Sequence, residues 1–286
     1  MDQESPSSAA GRDGSPTVDV GAISECVLDA VAQLCEAPPG LLEQRLLQKR
    51  FESKYVVPVR HIPELLDRVS QTHAVLTADG ERIARYRTDY FDTPDRRSFH
   101  DHRRGRPRRS KVRIRTYLDR DLTMLEIKHR SGNGQTIKHR VERADGRTPL
   151  TEEERAWILG ELPWARQLDV SLQSKFQRVT LLGIDDIDRS TVDLAVRFRE
   201  GDIVYGLGET AIVEVKTPRW RQHGPLVDAL HALGHRPRSF SKYCVGSVLL
   251  EDNLPDIRFR QQLNRVRALG AGEVHETDAA GAPLAG

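Results

Sequence analysis

Cysteine is scarce in this 286-residue chain. Cys26, Cys35 and Cys244 are too few and too scattered for a disulfide framework, and their number is odd. They point to a reducing compartment and so to a cytoplasmic location. There is no CxxC and no Cys/His cluster, which argues against a structural zinc site. No run approaches the roughly 18 apolar residues of a membrane span. The opening MDQESPSSAAGRDGSP has neither a basic start nor an apolar stretch, so no secretory signal is expected. Aromatic residues make up 6% of the chain, and 44 Lys plus Arg against 42 Asp plus Glu leave a net charge of +2. That balance offers neither a stacking platform nor a basic domain for nucleic acid. Walker A, GxSxG and HExxH motifs are missing. Gly206-x-Gly208 neither follows the right strand nor opens a helix, so it is no phosphate loop.

What is present is charge, at 30% of residues, on a chain long enough for a large domain. Residues 1–16 and 270–286 are poor in large apolar residues and read as disordered tails. Residues 17–40 read as a helix and linker: Val20, Ile23, Val27, Val31 and Leu34 recur at helical spacing before Pro38-Pro39-Gly40. The body is expected over 41–269. Helices are expected where Pro63, Pro225 and Pro255 open apolar-periodic stretches, and where Thr151 and Glu154 form a capping box. Between them run strand-like segments such as RFESKYVV, RYRTDYFD, SKVRIRTYL, TMLEIKHR, KFQRVTLL and TAIVEVKT. SGNG at 131–134 and REGD at 199–202 are hairpin signals. Strands outnumber helices and follow one another closely. The fold class is therefore α+β with a mostly antiparallel sheet.

Alternation carries the functional signal, because successive strand residues face opposite ways. Lys111, Arg113, Arg115 and Tyr117 share a face. So do Glu126, Lys128 and Arg130; Lys138, Arg140 and Glu142; Glu214 and Lys216; Glu52 and Lys54; and Arg189, Thr191 and Asp193. One such strand would be an ordinary solvated face. The set differs in that Glu-x-Lys recurs at Glu52/Lys54, Glu126/Lys128 and Glu214/Lys216, and in that many of the cations are Arg, whose fork grips phosphate oxygens in pairs. If helices cover the apolar faces, the charged faces converge. Like charges ~4 Å apart repel by about 4 kcal/mol at an effective dielectric of roughly 20. A polyanion would relieve that, and a divalent metal could bridge it to the carboxylates. The spacing thus suggests an oligophosphate-binding tunnel, a β barrel with a charged interior and helices packed outside.

Other features read more plainly. Arg103–Arg109 (RRGRPRR) is expected as a solvated loop, with a polyanion-attracting rim as its functional alternative. His100-x-His102 is expected in a surface turn, Cys244 in an apolar strand, and Trp157, Trp164 and Trp220 in packing.

The order RFESKY, YFDT, KVRIRTY, LEIKHR, KHRVE, RVT, RSTVD, VEVKTP, FSKY resembles the VTC domain of polyphosphate polymerases, a branch of the triphosphate tunnel metalloenzymes, over roughly residues 45–250. The resemblance implies a tunnel of antiparallel strands that transfers the γ-phosphoryl group of ATP to a growing polyphosphate chain with Mn2+ or Mg2+. It also implies roles. Lys54, Arg113, Arg115, Lys128 and Arg140 would contact phosphates. Arg178 and Arg189 would contact the transferring end. Glu214 would hold the metal with Lys216 beside it, and Lys242 with Ser241 would close the phosphate path. Glu52 and Glu126 are further carboxylates suited to metal. Expected partners are ATP and inorganic polyphosphate, without nucleic acid. Phosphoryl transfer needs in-line positioning and charge stabilisation more than a protein nucleophile. A terminal phosphate oxygen attacks already ionised, whereas water must be oriented, and Glu126 or Glu142 could do that. A metal-dependent tri- or polyphosphatase and a non-catalytic polyphosphate-binding module therefore stand as alternatives.

Overall fold

The computed structural model describes residues 23–45, 51–132, 136–218 and 223–274. Eleven strands are seen there: β1 Phe51–Pro58, β2 His73–Val75, β3 Ile83–Asp92, β4 Arg109–Tyr117, β5 Leu122–Arg130, β6 Thr136–Arg143, β7 Asp169–Gly183, β8 Arg189–Glu200, β9 Ile203–Gly206, β10 Thr210–Thr217 and β11 Gly272–Glu273. The α-helices are α1 Glu25–Ala32, α2 Leu41–Gln44, α3 Ile62–Val69, α4 Arg97–Arg103, α5 Glu152–Glu161, α6 Pro225–Ala232, α7 Lys242–Leu250 and α8 Arg260–Ala268.

All strands join one antiparallel sheet with the main order β1-β10-β8-β7-β3-β4-β5-β6. Among the described residues the sheet does not close: β1 and β6 are its ends. Lys128 on β5 and Glu52 on β1 meet across the seam at 3.5 Å. The free edge of β1 is covered, as exposed strand edges invite pairing with other chains. Arg238 N donates to Lys54 O, and Arg265 Nε donates to Val56 O.

Cross-strand register sorts the residues by face. One face of β1, β10, β8 and β7 is apolar, with Val57, Val213, Val192 and Val179 packed under α1, α3 and α6 through Val27, Leu66 and Leu230. Val112, Ile114, Leu125 and Ile127 on β4 and β5 pack under α5 through Ile158 and Leu162. These helices lie outside the sheet, and the opposite face is concave. At one end of it Phe176, Phe198 and Ile212 pack with Tyr243, Leu263 and Val266 of α7 and α8. A bulge permits this. β8 carries one extra residue against β7 between Lys175/Arg197 and Gln177/Leu194, and Ala195 there has φ +48°. Asp193 thus faces the concave side before the bulge, and Val196 and Phe198 face it after. Gly246 lets α7 approach closely, since a Cβ there would lie 2.7 Å from Phe198.

The local signals act as expected in several places. Thr151 and Glu154 form the reciprocal capping box of α5. Pro225 opens α6, and Gly234 follows it at φ +78°. Gly201 turns the β8–β9 hairpin at φ +56°. Elsewhere the structure differs. Cys244 lies in helix α7, not a strand: Ser241 Oγ caps the helix by accepting from Cys244 N at 3.3 Å. Its apolar run is buried on all sides, and such a run has no period to tell helix from strand. Pro255 does not open a helix; α8 starts at Arg260, after a turn in which Phe259 N donates to Asp256 O. His100 and His102 lie in α4, because the buried Asp92 carboxylate accepts from Ser98 N and Phe99 N and starts that helix. Gly272–Glu273, within the stretch read as tail, pairs with β9. Residues 1–16 and 275–286, Val20, Trp220 and the SGNG tip at Asn133-Gly134 lie outside the described residues.

Candidate functional site

The charged side chains converge on the concave face away from the apolar end. Lys111, Arg113 and Arg115 on β4 stand opposite Lys128, Glu126 and Met124 on β5. Glu126 and Lys128 stand opposite Arg140 and Lys138 on β6. Lys54 and Glu52 of β1 face Glu214 and Lys216 of β10, and Lys216 faces Arg189 of β8. Arg178 of β7 faces Asp193 of β8. Cations outnumber carboxylates on this face among the described residues.

Each carboxylate is shared between cations. Glu126, fully buried, accepts from Arg113 Nε at 2.7 Å and pairs with Lys138. Glu214 meets Lys216 at 2.6 Å and Lys54 at 3.1 Å through different oxygens. Glu52 pairs with Lys54 and Lys128. Asp193 accepts from Arg178 Nε and Nη2 and pairs with Lys242. Among the described residues no group of three His, Cys, Asp or Glu is placed to hold a metal.

The field of this site shows in its proton affinities. Burial alone would raise the acidic pKa of Glu126, Asp193 and Glu214. Arg113, Arg115 and Lys138 around Glu126, Arg178 and Lys242 around Asp193, and Lys216 and Lys54 around Glu214 outweigh it, and all three lie below the usual carboxylate range. Burial lowers Lys54 and Lys138 to about 7 and Lys216 to about 8, even against the carboxylates beside them. Burial opposes ionisation of the Tyr90 phenol, yet Arg113, Arg115, Lys242 and Lys111 bring its pKa down.

The residues expected from sequence fall into groups. Lys54, Arg113, Arg115, Lys128, Arg178, Arg189, Lys216, Lys242, Glu52, Glu126 and Glu214 share the concave face. Arg140 shares its register but is exposed on edge strand β6. Ser241 caps α7 and accepts a hydrogen bond from Lys111 at 2.7 Å, so it joins the site through Lys111. Sequence reasoning passed over Asp193, Lys111 and Lys138 as site residues, although the alternation had put each on a charged face. It also missed an aromatic pair. Tyr86 and Phe176 stack with centroids 5.2 Å apart and planes within 2°. The guanidinium carbons of Arg178 and Arg115 lie 5.1–5.8 Å from those rings, and Lys242 Nζ lies 4.6 Å from Phe176. The rings hold these cations side by side by cation–π attraction.

A family model described as VTC domain matches residues 49–251. Comparison with curated proteins gives no match. Among solved structures, a putative adenylyl cyclase from Hippeastrum with dominant triphosphatase activity superposes with TM-score 0.43 and 17% identity, covering 70% of this chain and 96% of its own. The PH1819 protein of Pyrococcus horikoshii gives 0.42 and 16%, covering 75% and 99%. A putative adenylate cyclase of Bacillus halodurans gives 0.38 and 12%, covering 80% and 93%.

Proposed function

Because this chain belongs to the VTC domain family, we propose that it is a polyphosphate polymerase, transferring the γ-phosphoryl group of ATP to a growing polyphosphate chain on the concave face. The observation that carries this reading is the surplus of cations on the concave face, where the carboxylates Glu126, Asp193 and Glu214 are each paired with Arg or Lys. An acceptor that arrives as an ionised phosphate oxygen needs no base, only charge stabilisation and alignment.

In this reading Arg113 and Arg115 grip the nucleotide phosphates, with Lys54, Lys128 and Arg140 along the path. Arg178, Arg189, Lys216 and Lys242 stabilise the transferring group, and the Arg178 and Lys242 charges are kept in place by Asp193. The family is one in which a divalent metal accompanies the triphosphate. The donors fit an ion held mainly by phosphate oxygens, since magnesium-type ions take one or two carboxylates plus substrate phosphates. Glu214, ionised and within reach of Lys54 and Lys216, would hold it, with Glu52 beside Lys54. When bound, such an ion neutralises charge on the phosphate oxygens. Manganese and magnesium both suit this donor set. No helix among the described residues is long and apolar enough to cross a membrane. The expected partners are ATP and polyphosphate, in the cytoplasm.

Incubation of the purified protein with ATP and Mn2+ tests the reading. Long phosphate chains with ADP are expected. Orthophosphate as the sole phosphate product would assign a hydrolase, and retained binding without turnover would assign a binding module.

A further inference from the structure

Residues 104–108 of the Arg103–Arg109 stretch are exposed, as expected of a solvated loop, but its two ends belong to a built wall. Arg103 ends α4, Arg109 starts β4, and with the end of β5 and the segment before α8 they wall a cavity of about 390 Å³. Four arginines line it, Arg103, Arg109, Arg130 and Arg258, and no carboxylate does. Arg109 and Arg130 stand directly opposite in strand register, an arrangement that destabilises a sheet when both carry the same charge. Burial and Arg130 both lower the pKa of Arg109. Arg103 Nε is buried with no hydrogen-bond partner. On the far side of Arg109 and Arg130 a second hollow of about 780 Å³ adds Arg97, Arg106 and Arg108. Its carboxylate, Asp101, is already paired with Arg106 at 3.2 Å.

The cavity adjoins the phosphate site. His102 lines it, and His102 Nδ1 lies 3.3 Å from Lys111 Nζ. Lys111 and burial hold the His102 pKa near 2, so the ring stays neutral and accepts from the ammonium. Lys111 in turn stands opposite Lys128 on the concave face. Cations therefore follow one another from Lys54 and Lys128 through Lys111 to Arg109 and Arg130, and on to Arg103 and Arg258.

We propose that this arginine cavity is a second subsite for linear polyphosphate, outside the concave face, holding chain residues distal to the end that lies among Arg113, Arg115 and Lys216. The proposal rests on the phosphate reading of the concave face. Guanidinium forks bind phosphate oxygens in pairs, and a chain charged at every residue matches a continuous cationic track. A short anion is satisfied by the concave face alone, whereas a long one engages both sites. The cavity thereby retains the growing chain and favours long products.

The test compares two ligands, tripolyphosphate and long-chain polyphosphate, by calorimetric titration of the full chain at fixed salt. The variants are Arg258→Ala and the double variant Arg103→Ala/Arg258→Ala. Arg258 is exposed, so its single variant keeps the fold. Long-chain affinity is expected to fall about tenfold or more, the loss of at least one charged hydrogen bond, while tripolyphosphate affinity stays within about twofold. Unchanged long-chain binding, or equal weakening of both ligands, overturns the subsite and leaves the concave-face reading standing. A wild-type protein that binds neither ligand overturns both. Preferential binding of single-stranded RNA over polyphosphate, lost in the same variants, overturns the choice of ligand.

Discussion

Arg178 and Asp193 face each other across β7 and β8 in a two-pronged contact, Nε to Oδ1 at 2.5 Å and Nη2 to Oδ2 at 2.9 Å, with Asp193 1% exposed. Lys242 closes on the same carboxylate from the start of α7. One buried acid on β8 therefore fixes the positions of two cations, one from β7 and one from α7. Asp193→Ala would leave both charges uncompensated, at a cost of about 3–5 kcal/mol. Denaturant unfolding should show that loss. Tripolyphosphate should restore more stability to the variant than it adds to the wild type; an equal increment in both would place the anion away from Arg178.

Arg113→Ala and Arg115→Ala should each weaken tripolyphosphate binding. Each removes a charged hydrogen-bond donor worth about 1.5–3 kcal/mol, or roughly tenfold to a hundredfold in affinity. Direct titration reads this, and wild-type affinity in both variants would remove these residues from the site.

Glu214→Gln separates metal from phosphate. Turnover with Mn2+ is expected to disappear, since the ionised donor is lost. Tripolyphosphate affinity in metal-free buffer should stay the same or rise, because a negative charge leaves the company of Lys54 and Lys216. Full metal-dependent turnover in this variant would clear Glu214 of the role.

Acidity follows from three lysines. Burial holds Lys54 and Lys138 near 7 and Lys216 near 8 in the folded protein, against about 10.4 for a free lysine. Between these limits the unfolded chain binds more protons, so this group makes stability rise with pH from about 7 towards 10. A phosphate ligand prefers the ammonium form. Binding at about pH 8 should draw protons from solution, and affinity should fall as pH climbs further. Calorimetry in buffers of different ionisation enthalpy would detect the uptake; identical enthalpies would mean that the lysines are already charged.

Ala195 holds a left-handed conformation at φ +48°. Such a conformation costs a non-glycine residue about 1–2 kcal/mol, whereas glycine gives back about 0.4–1 kcal/mol through its freer unfolded chain. Ala195→Gly should gain on the order of 0.5 kcal/mol, and Ala195→Val should lose stability. The order of unfolding midpoints checks this.

Much of the concave face was legible because strand alternation is a strict period of two: once Arg113 is placed, Arg115 follows. The Glu-x-Lys pairs marked β1, β5 and β10 for the same reason. Asp193 was harder, since an acid on a strand reads as solvent-facing until its neighbours Arg178 and Lys242 arrive from distant segments. The Ala195 bulge has no signature in residue type, so the switch from Asp193 to Phe198 on one face could not be read. Arg140 carried the right parity, but parity does not reveal that β6 ends the sheet and leaves it in solvent. The buried run of α7 lacked any period, and only the cap at Ser241 decides its form.

The seam between β1 and β6 is crossed by the Lys128 and Glu52 side chains in place of backbone pairing between those strands, which makes it the part of the wall most sensitive to ionic strength. Arg238 and Arg265 bind the β1 edge along the same seam, so single contacts and not a ladder hold the wall there, and added salt should loosen it first at the Lys128–Glu52 pair.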